Sequence, residues 1–555
     1  MGFAKPIEQY LFGNLLTKMH VFMYLKDIIR GAIHMKKKLI TAVVTFALAL
    51  SSLTGCGGAA TSGNTSTQTT GDSSVITIAR PIDSSTLDPI MTGNNEDIWL
   101  LSLMLQGLTK SSADGTEIEP CLAETWDISD DNLTYTFHIR KDLKFSTGDP
   151  VTKDDWEYSL NRYLTSEESP WRGMVSMVDS IEVPDDTTVI FHLNAVSPTF
   201  LASTALFSMS VMPKAYCEEV GEDGIASKPV GTGPYALESW TIGDSMTFVK
   251  NQYYWDAGKP ETDKIVFNVV ADDNTRVMQL QSGQVDAITY VPNNRVDELK
   301  ATDGIEVLSF DSTESRHITL NNSVEALSDA RVRMALLKAT DREALISAVY
   351  YGNAELSTGL IGPAQPYYDK DLTPVAYDLE GAKELLKEAG YENGFEVTID
   401  IRSGNSNELQ EATMLKEQWA KAGVTLNIEE LDGSTVSDEW YSMDFEMMFT
   451  SLTSDTADTN QFAQGISIAD LKDCYHTLWS GEKQKEAEKL ATEAGTEMDT
   501  AKRAEEYNQL QEICAEENPI LPLYYIPFMV ATRSNVKNFS QTPLGSYNFD
   551  TLVKE

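Results

Sequence analysis

From about residue 75 to residue 525 the sequence switches repeatedly between an apolar period of two and one near 3.6, which confines it to the α/β class. Leu133 to Arg140 (LTYTFHIR) alternates apolar and polar side chains, as a strand buried on one face does. Thr187 to Leu193 follows the turn-forming Asp185-Asp186 and reads as a second strand, with Lys264 to Val270 and Val424 to Ile428 as two more. Helices with definable ends lie between them. Thr152-Lys153-Asp154-Asp155 opens one as a capping box, and Trp156, Leu160 and Leu164 follow on one face. Asp378 to Ala389 stops at Gly390 and Glu408 to Ala422 at Gly423, each a residue free to take the left-handed turn that ends a helix. Asp329 to Lys338 and Asp341 to Tyr350 predict a helix pair closed by Gly352, and Lys502 to Glu517 a long charged helix before Pro519. No fixed-period repeat is visible, which argues against solenoids and propellers. Mixed β-sheets flanked by helices are expected.

The N-terminal segment reads differently. Lys36, Lys37 and Lys38 follow Met35, and Leu39 to Leu53 is uncharged and apolar. This is the layout of a secretory signal, too short to span a bilayer, which takes about 20 residues. Leu53-Thr54-Gly55-Cys56 has the form of a bacterial lipobox, whose cysteine is acylated and becomes the first residue of the mature chain. Acyl chains contribute about 0.8 kcal/mol per buried CH₂, so several of them tether a domain firmly. An ordinary cleaved signal beside an adventitious cysteine is the alternative. Gly57 to Ser74 is rich in Gly, Ser and Thr with a single charge, Asp72, and has the composition of a flexible spacer. The expectation is translation from Met35, a signal over 35–55 and a linker over 56–74; a genuine N-terminal extension over 1–34 is the competing account.

Charge and cysteine content narrow the function. The formal net charge is −41, and the seven basic and two acidic residues before Cys56 leave about −46 on the remainder. Such a surface repels nucleic acid and anionic lipid headgroups, and it favours solubility and cationic ligands. After Cys56 only Cys121, Cys217, Cys474 and Cys514 remain, without a CxxC. Zinc ribbons and thioredoxin-like chemistry are unsupported. One or two disulfides of undetermined pairing, or four free thiols, both fit an exported chain. HExxH, G-x-S-x-G and the phosphate-binding G-x-x-x-x-G-K-[ST] are absent. Gly231-Thr232-Gly233-Pro234-Tyr235 lacks a third glycine and reads as a tight turn entering a strand. His138, His192, His317 and His476 have no histidine at i+3 or i+4, so neither a metal site nor a catalytic histidine is expected. Acidic pairs such as Asp154-Asp155 and Asp272-Asp273 belong on solvated faces and helix starts in so acidic a chain. No cofactor and no catalytic residue is expected.

Several strings, in order, resemble the extracellular solute-binding proteins of ABC importers, family 5, the oligopeptide and dipeptide-binding group. They are Thr86-Leu87-Asp88-Pro89; Leu105 to Thr109 (LQGLT); Pro120 to Trp126 (PCLAETW); Leu133 to Pro150 with the helix Val151 to Arg162; and Lys228 to Tyr235 (KPVGTGPY), the most specific. Asn251 to Pro260, then Arg276 with Leu280, Gly283 and Asp286, then Asp329 to Arg342 and Pro519 to Tyr524 complete the series. The resemblance implies a two-lobed, hinged architecture closing on a ligand. It implies lobe one over 75–315 with an inserted subdomain near 120–225, lobe two over 316–528, and a C-terminal return to lobe one over 529–555. Hinge strands are expected near Ser315 and from Pro527 to Arg533.

The resemblance also implies a site. Peptide-binding members carry an aspartate in lobe two that pairs with the peptide α-amino group, and Asp455 in Ser451 to Thr459 (SLTSDTADT) falls on it, beside Ser454. In a closed cleft a buried ammonium needs a charged, hydrogen-bonding partner. The family's tryptophan is here Leu452, and its tyrosine and proline are Thr456 and Thr459, which alters the wall of the first pocket. Gly93, Asn94 and Asn95 are expected to line the cleft from lobe one, with Phe207 near the inserted subdomain. The expected partners are a short peptide and the permease subunits of an importer, for a monomer held by its lipid at the extracytoplasmic face of a Gram-positive-type envelope. A nickel chelate, an opine, a sugar or haem is the alternative cargo, and an extracellular hydrolase the alternative class.

Overall fold

The computed structural model describes residues 74–468 and 477–555. Cys56 and the rest of the signal and spacer lie outside them, as do Cys474 and His476. Two mixed sheets organise the described chain. The first has seven strands in the spatial order Ile305–Phe310, Phe528–Arg533, Ala287–Thr289, Val75–Arg80, Lys264–Val269, Ser245–Lys250, Tyr235–Thr241. The second has six, in the order Glu355–Leu356, Ile520–Tyr525, Ser315–Leu320, Met447–Leu452, Phe395–Arg402, Val424–Leu431. Each contains both parallel and antiparallel pairs: Val75–Arg80 runs parallel to Lys264–Val269, and Phe395–Arg402 parallel to Val424–Leu431. The α/β class with mixed sheets expected from the alternating periods, and the two lobes implied by the resemblance, are the ones observed.

The chain leaves the first sheet after Phe310 and enters the second at Ser315; it leaves the second after Tyr525 and re-enters the first at Phe528. Strand Phe528–Arg533 lies inside the lobe-one sheet, antiparallel to both of its neighbours. A four-stranded antiparallel sheet, formed by Ala123–Ile128, Thr134–Ile139, Thr188–Leu193 and Val178–Asp185, is added to lobe one. Its inward residues Tyr135, Phe137 and Phe191 are buried and meet Phe200 edge-on at centroid distances of 4.8, 6.4 and 5.1 Å. These rings join Trp156, Leu160 and Tyr163 from helix Lys153–Thr165 in the same core as Ile76, Ile78 and Phe267 of the main sheet. Lobe two has its own core around Ile399, Leu426 and Trp419.

Three of the sequence strings turn out to be one knot in lobe one. Gly233 N donates to the Met104 carbonyl at the end of helix Asn95–Met104 (2.8 Å), and Asn251 Nδ2 donates to the Gly233 carbonyl (2.8 Å). Gln106 accepts from Trp255 Nε1 (2.9 Å) and Thr232 Oγ1 (3.3 Å), while its own Nε2 donates to Tyr254 Oη (3.2 Å). The glycines in KPVGTGPY are needed for this approach. A Cβ on Gly233 would stand 2.6 Å from the Leu103 carbonyl oxygen and the Met104 carbonyl carbon, and one on Gly231 2.5 Å from the Met104 oxygen. Backbone at that distance cannot rotate aside as a side chain could. A fourth string ties the added sheet to lobe one: Arg162 donates through Nη1 to Asp88 Oδ1 (2.9 Å) and through Nη2 to Oδ2, a two-pronged pair with the aspartate buried.

Gly233→Ala is therefore expected to destabilise the protein by about 1–3 kcal/mol through overpacking, seen as an earlier urea midpoint. An unchanged midpoint would mean that the turn can retreat from the helix end.

Candidate functional site

Where the two sheets meet, the crossing segments are bonded to each other. Ile526 N donates to the Glu314 carbonyl (3.1 Å), and Ser312 Oγ donates to the Ile526 carbonyl. The segment Thr453 to Thr459 follows the lobe-two strand Met447–Leu452 directly, so its position is set by that strand's pairing with Ser315–Leu320. Ser454 N donates to Thr313 Oγ1 on the crossing (2.9 Å), and Thr453 Oγ1 donates to Asn95 Oδ1 of lobe one (3.3 Å). The far end of the segment is anchored in lobe two. Arg503 donates through Nη1 and Nη2 to the two Asp458 oxygens, both at 2.8 Å and both groups buried, while Thr459 Oγ1 donates to the Pro366 carbonyl. Arg503 stacks as well, 5.1 and 5.3 Å from the Tyr507 and Tyr367 ring centroids.

Asp455 sits between these anchors and is treated differently. Gln461 holds it with a reciprocal pair: Nε2 donates to Asp455 Oδ2 (2.8 Å) and Oε1 accepts from Asp455 N (3.0 Å). No ion pair involves Asp455 among the described residues. Burial pushes its carboxyl up from 3.8 to about 6, and the Gln461 hydrogen bond only partly opposes this. The carboxylate lines a cavity of about 260 Å³ whose other walls come from lobe one: Phe207, Gln106, Tyr254 and Trp255, with the C-terminal segment through Leu544 and Tyr547.

The residues singled out from the sequence are distributed as follows. Asp455 and Phe207 share the cavity, and Phe207 is held edge-on against Trp171 at 5.1 Å. Ser454 is buried at the crossing and its Oγ donates to the Thr456 carbonyl. Leu452 packs into a lobe-two cluster with Leu360, Phe462 and Trp479. Asn95 makes the contact to Thr453. Asn94 is exposed and donates to Ser85 Oγ (3.1 Å), and Gly93 is exposed with open space where a Cβ would stand; neither lines this cavity. Gln106, Tyr254 and Trp255 lie within strings read from the sequence but were not counted there as site residues. The C-terminal wall was not anticipated at all.

Other chemistry-bearing groups stand apart. His138 meets Asp127 (2.8 Å) and His192 meets Glu182 (3.2 Å) on exposed sheet faces. His317 is buried, donates through Nδ1 to the Ser315 carbonyl (3.2 Å), and is pushed down to about 3 by burial, so it stays neutral at ordinary pH. Cys121, Cys217 and Cys514 are free thiols. Among the described residues no group of three or more His, Cys, Asp or Glu side chains is placed to hold a metal ion, and no helix is long and apolar enough to cross a membrane.

Residues 117–470 match the family model for bacterial extracellular solute-binding proteins, family 5 (middle). The chain belongs to this family. It is 31% identical over 470 residues to di/tripeptide-binding protein 4 of Pseudomonas aeruginosa, covering 79% of this chain and 86% of that protein. It is 29% identical over 464 residues to heme-binding protein A of Haemophilus influenzae, covering 78% and 83%. Its fold is similar to that of the ABC transporter-associated periplasmic binding protein DppA of Helicobacter pylori in complex with peptide STSA, with a TM-score of 0.78, 28% identity and coverage of 87% and 98%. The family is one of binding proteins.

With its carboxyl raised to about 6, ionised Asp455 opposes folding, and the opposition grows as pH rises from about 4 through 6. Asp455→Asn is expected to stabilise the empty protein at pH 7 by about 1–3 kcal/mol, with the difference vanishing below pH 4. Melting temperatures of the two proteins across that range check it; a less stable Asn variant at pH 7 would contradict it.

Proposed function

We propose that this protein is the solute receptor of an ABC importer and captures short peptides between its lobes, with Asp455 taking the α-amino group. The observation that supports this most directly is the state of Asp455. It is a half-buried carboxylate at the lobe boundary, positioned by two anchored neighbours, with a neutral amide as its side-chain partner among the described residues. A carboxylate in that state gains most from an incoming cation, because the desolvation cost has already been met in the folded protein. The positioning of Asp455 at a fixed depth would set the register of the ligand's first residue. Phe207 and the aromatic rings of lobe one supply apolar wall for side chains, and Asn95 meets the Asp455 segment from lobe one through Thr453. The two peptide-binding likenesses point to the same cargo class. Delivery to the permease follows from hinge closure about the crossings at 311–314 and 526–527. In this reading the receptor is a monomer tethered through acylated Cys56 at the extracytoplasmic face of a Gram-positive-type envelope.

The test is calorimetric titration with di- to hexapeptides. A binding peptide at about 100 times its Kd should add about 2.7 kcal/mol of stability. Affinity should fall about tenfold per pH unit below 6, as Asp455 takes up a proton, and should collapse in Asp455→Ala. No binding by any peptide, or undiminished binding by Asp455→Ala, would sink this reading. Haem is the second reading, carried by the similarity to heme-binding protein A, and a Soret-band titration of the same sample decides it. The tether is tested separately: mass spectrometry of membrane-extracted protein should find an acylated Cys56 as the N-terminal residue, and Cys56→Ala should release the protein to the medium.

A further inference from the structure

A second and larger chamber, of about 490 Å³, lies along the same lobe boundary, and Tyr547 lines both cavities. Its walls are aromatic from both lobes. Trp99, Tyr290 and Phe528 line it from lobe one, and Tyr350 and Tyr351 from lobe two. Trp99 and Tyr290 are stacked at 6.0 Å with an interplanar angle of 17°, so one ring face is backed by another. Tyr290 and Tyr351 both hold left-handed backbone, with φ of 51° and 53°, and both remain exposed. A bulky residue at positive φ costs of order 1 kcal/mol or more, and such residues concentrate where a ligand is clamped. Here the two come from opposite lobes and present their rings to one chamber.

The chamber's free charge is negative. Arg276 lines it, but its guanidinium is spent on the Val270, Ala271 and Tyr290 carbonyls and on Asp273 Oδ1 at 2.6 Å. Asp273 is thereby neutralised. Glu314, on the crossing itself, is half-buried and forms no ion pair among the described residues. Burial pushes its carboxyl up, and the neighbouring Ser451 and Arg316 only partly oppose this. Glu96 stands close enough to act on it, and its carboxylate accepts from Tyr290 Oη (3.2 Å). Arg316, two residues along the strand, attracts Glu314 but is itself paired with Glu411 (2.7 Å) and set on the face of Phe449. A carboxylate that forms no ion pair among the described residues, walled by tyrosine and tryptophan rings, is a setting in which an organic cation is bound by charge and by ring faces together.

We infer that this chamber takes a basic side chain, the ammonium of lysine or the guanidinium of arginine, of the bound peptide, with Glu314 as its counterion and Tyr290 and Tyr351 as its walls. This rests on the peptide reading. Ser451, which neighbours Glu314 and pairs with Arg316 across the strands, is four residues from Asp455, a separation of at most about 14 Å of extended chain. A peptide whose amino end lies at Asp455 therefore reaches Glu314 with its second to fourth residue.

The experiment is titration with alanine-based tetrapeptides carrying one lysine at position two, three or four, each against its acetyl-lysine counterpart. At one position lysine should bind about tenfold tighter than acetyl-lysine, and Glu314→Gln should cut that ratio to below about threefold. The acetylated peptides should bind Glu314→Gln and the parent protein equally, which shows that the variant is folded. Equal binding of lysine and acetyl-lysine at all three positions overturns this inference and leaves the peptide reading standing. A preference that survives Glu314→Gln overturns the assignment to Glu314. No binding by any of the six peptides overturns both.

Discussion

The two crossings between the sheets are the constraint on which the rest of the molecule depends. Only residues 311–314 and 526–527 join the sheets covalently, and they are bonded to each other through Ile526 N and Ser312 Oγ. The return strand Phe528–Arg533 is then inserted between Ile305–Phe310 and Ala287–Thr289. Lobe one is consequently incomplete until the whole of lobe two has been made and the chain has come back. Such pairing between residues more than 200 positions apart carries a loop-closure cost before it yields any burial, so this arrangement folds late. It also gives the crossing residues a double position: Thr313 and Glu314 belong to neither sheet and touch both cavities' neighbourhoods, through Ser454 and Ser451 respectively.

A set of buried arginines serves the same end by a different route. Arg333 donates to the Leu327, Ser328, Glu517 and Asn518 carbonyls, and Arg342 to the Ser357, Pro522 and Val375 carbonyls. Arg276 does the same in lobe one. Each guanidinium offers five donors in a fixed fork, so one side chain satisfies several carbonyls from separate segments. Lysine at these positions would supply a point charge without the geometry. Their burial is costly, and the cost is tolerated because each removes several unsatisfied carbonyls at once.

This explains which parts of the molecule could be read from the sequence. Class and architecture were legible because strand and helix periods are local and because Gly283, Gly390 and Gly423 mark helix ends through their own backbone freedom, at φ of 76°, 90° and 92°. The ordered strings were legible as a family likeness, but their physical roles were not: Asp88 with Arg162, or Gly233 against Met104, are contacts between segments far apart in sequence. Asp455 could be placed only through the likeness, since its environment is made by Gln461 and by distant lobe-one walls. The C-terminal wall carries no periodic signal. Its one local hint is Gly545 at φ 90°, where a Cβ would stand 1.9 Å from Trp99 Nε1, within an aromatic-rich stretch ending at Phe549. The second chamber was invisible for the same reason: its rings come from five separate segments.

Asp455 and Asp458 show how one short segment divides its work. They are three residues apart, both are removed largely from water, and they would be equivalent by composition. Asp458 receives two charged hydrogen bonds from a buried arginine and fixes the segment in lobe two. Asp455 receives one hydrogen bond from a neutral amide, and its carboxyl stays well above the usual range. Replacing Gln461 by a cation would settle Asp455 and stabilise the empty protein, but it would occupy the position that the proposed binding mode gives to an incoming ammonium. The neutral glutamine orients the carboxylate without satisfying its charge. The empty cleft is thereby left less stable than the filled one, which is the free-energy difference that any ligand-driven closure has to draw on.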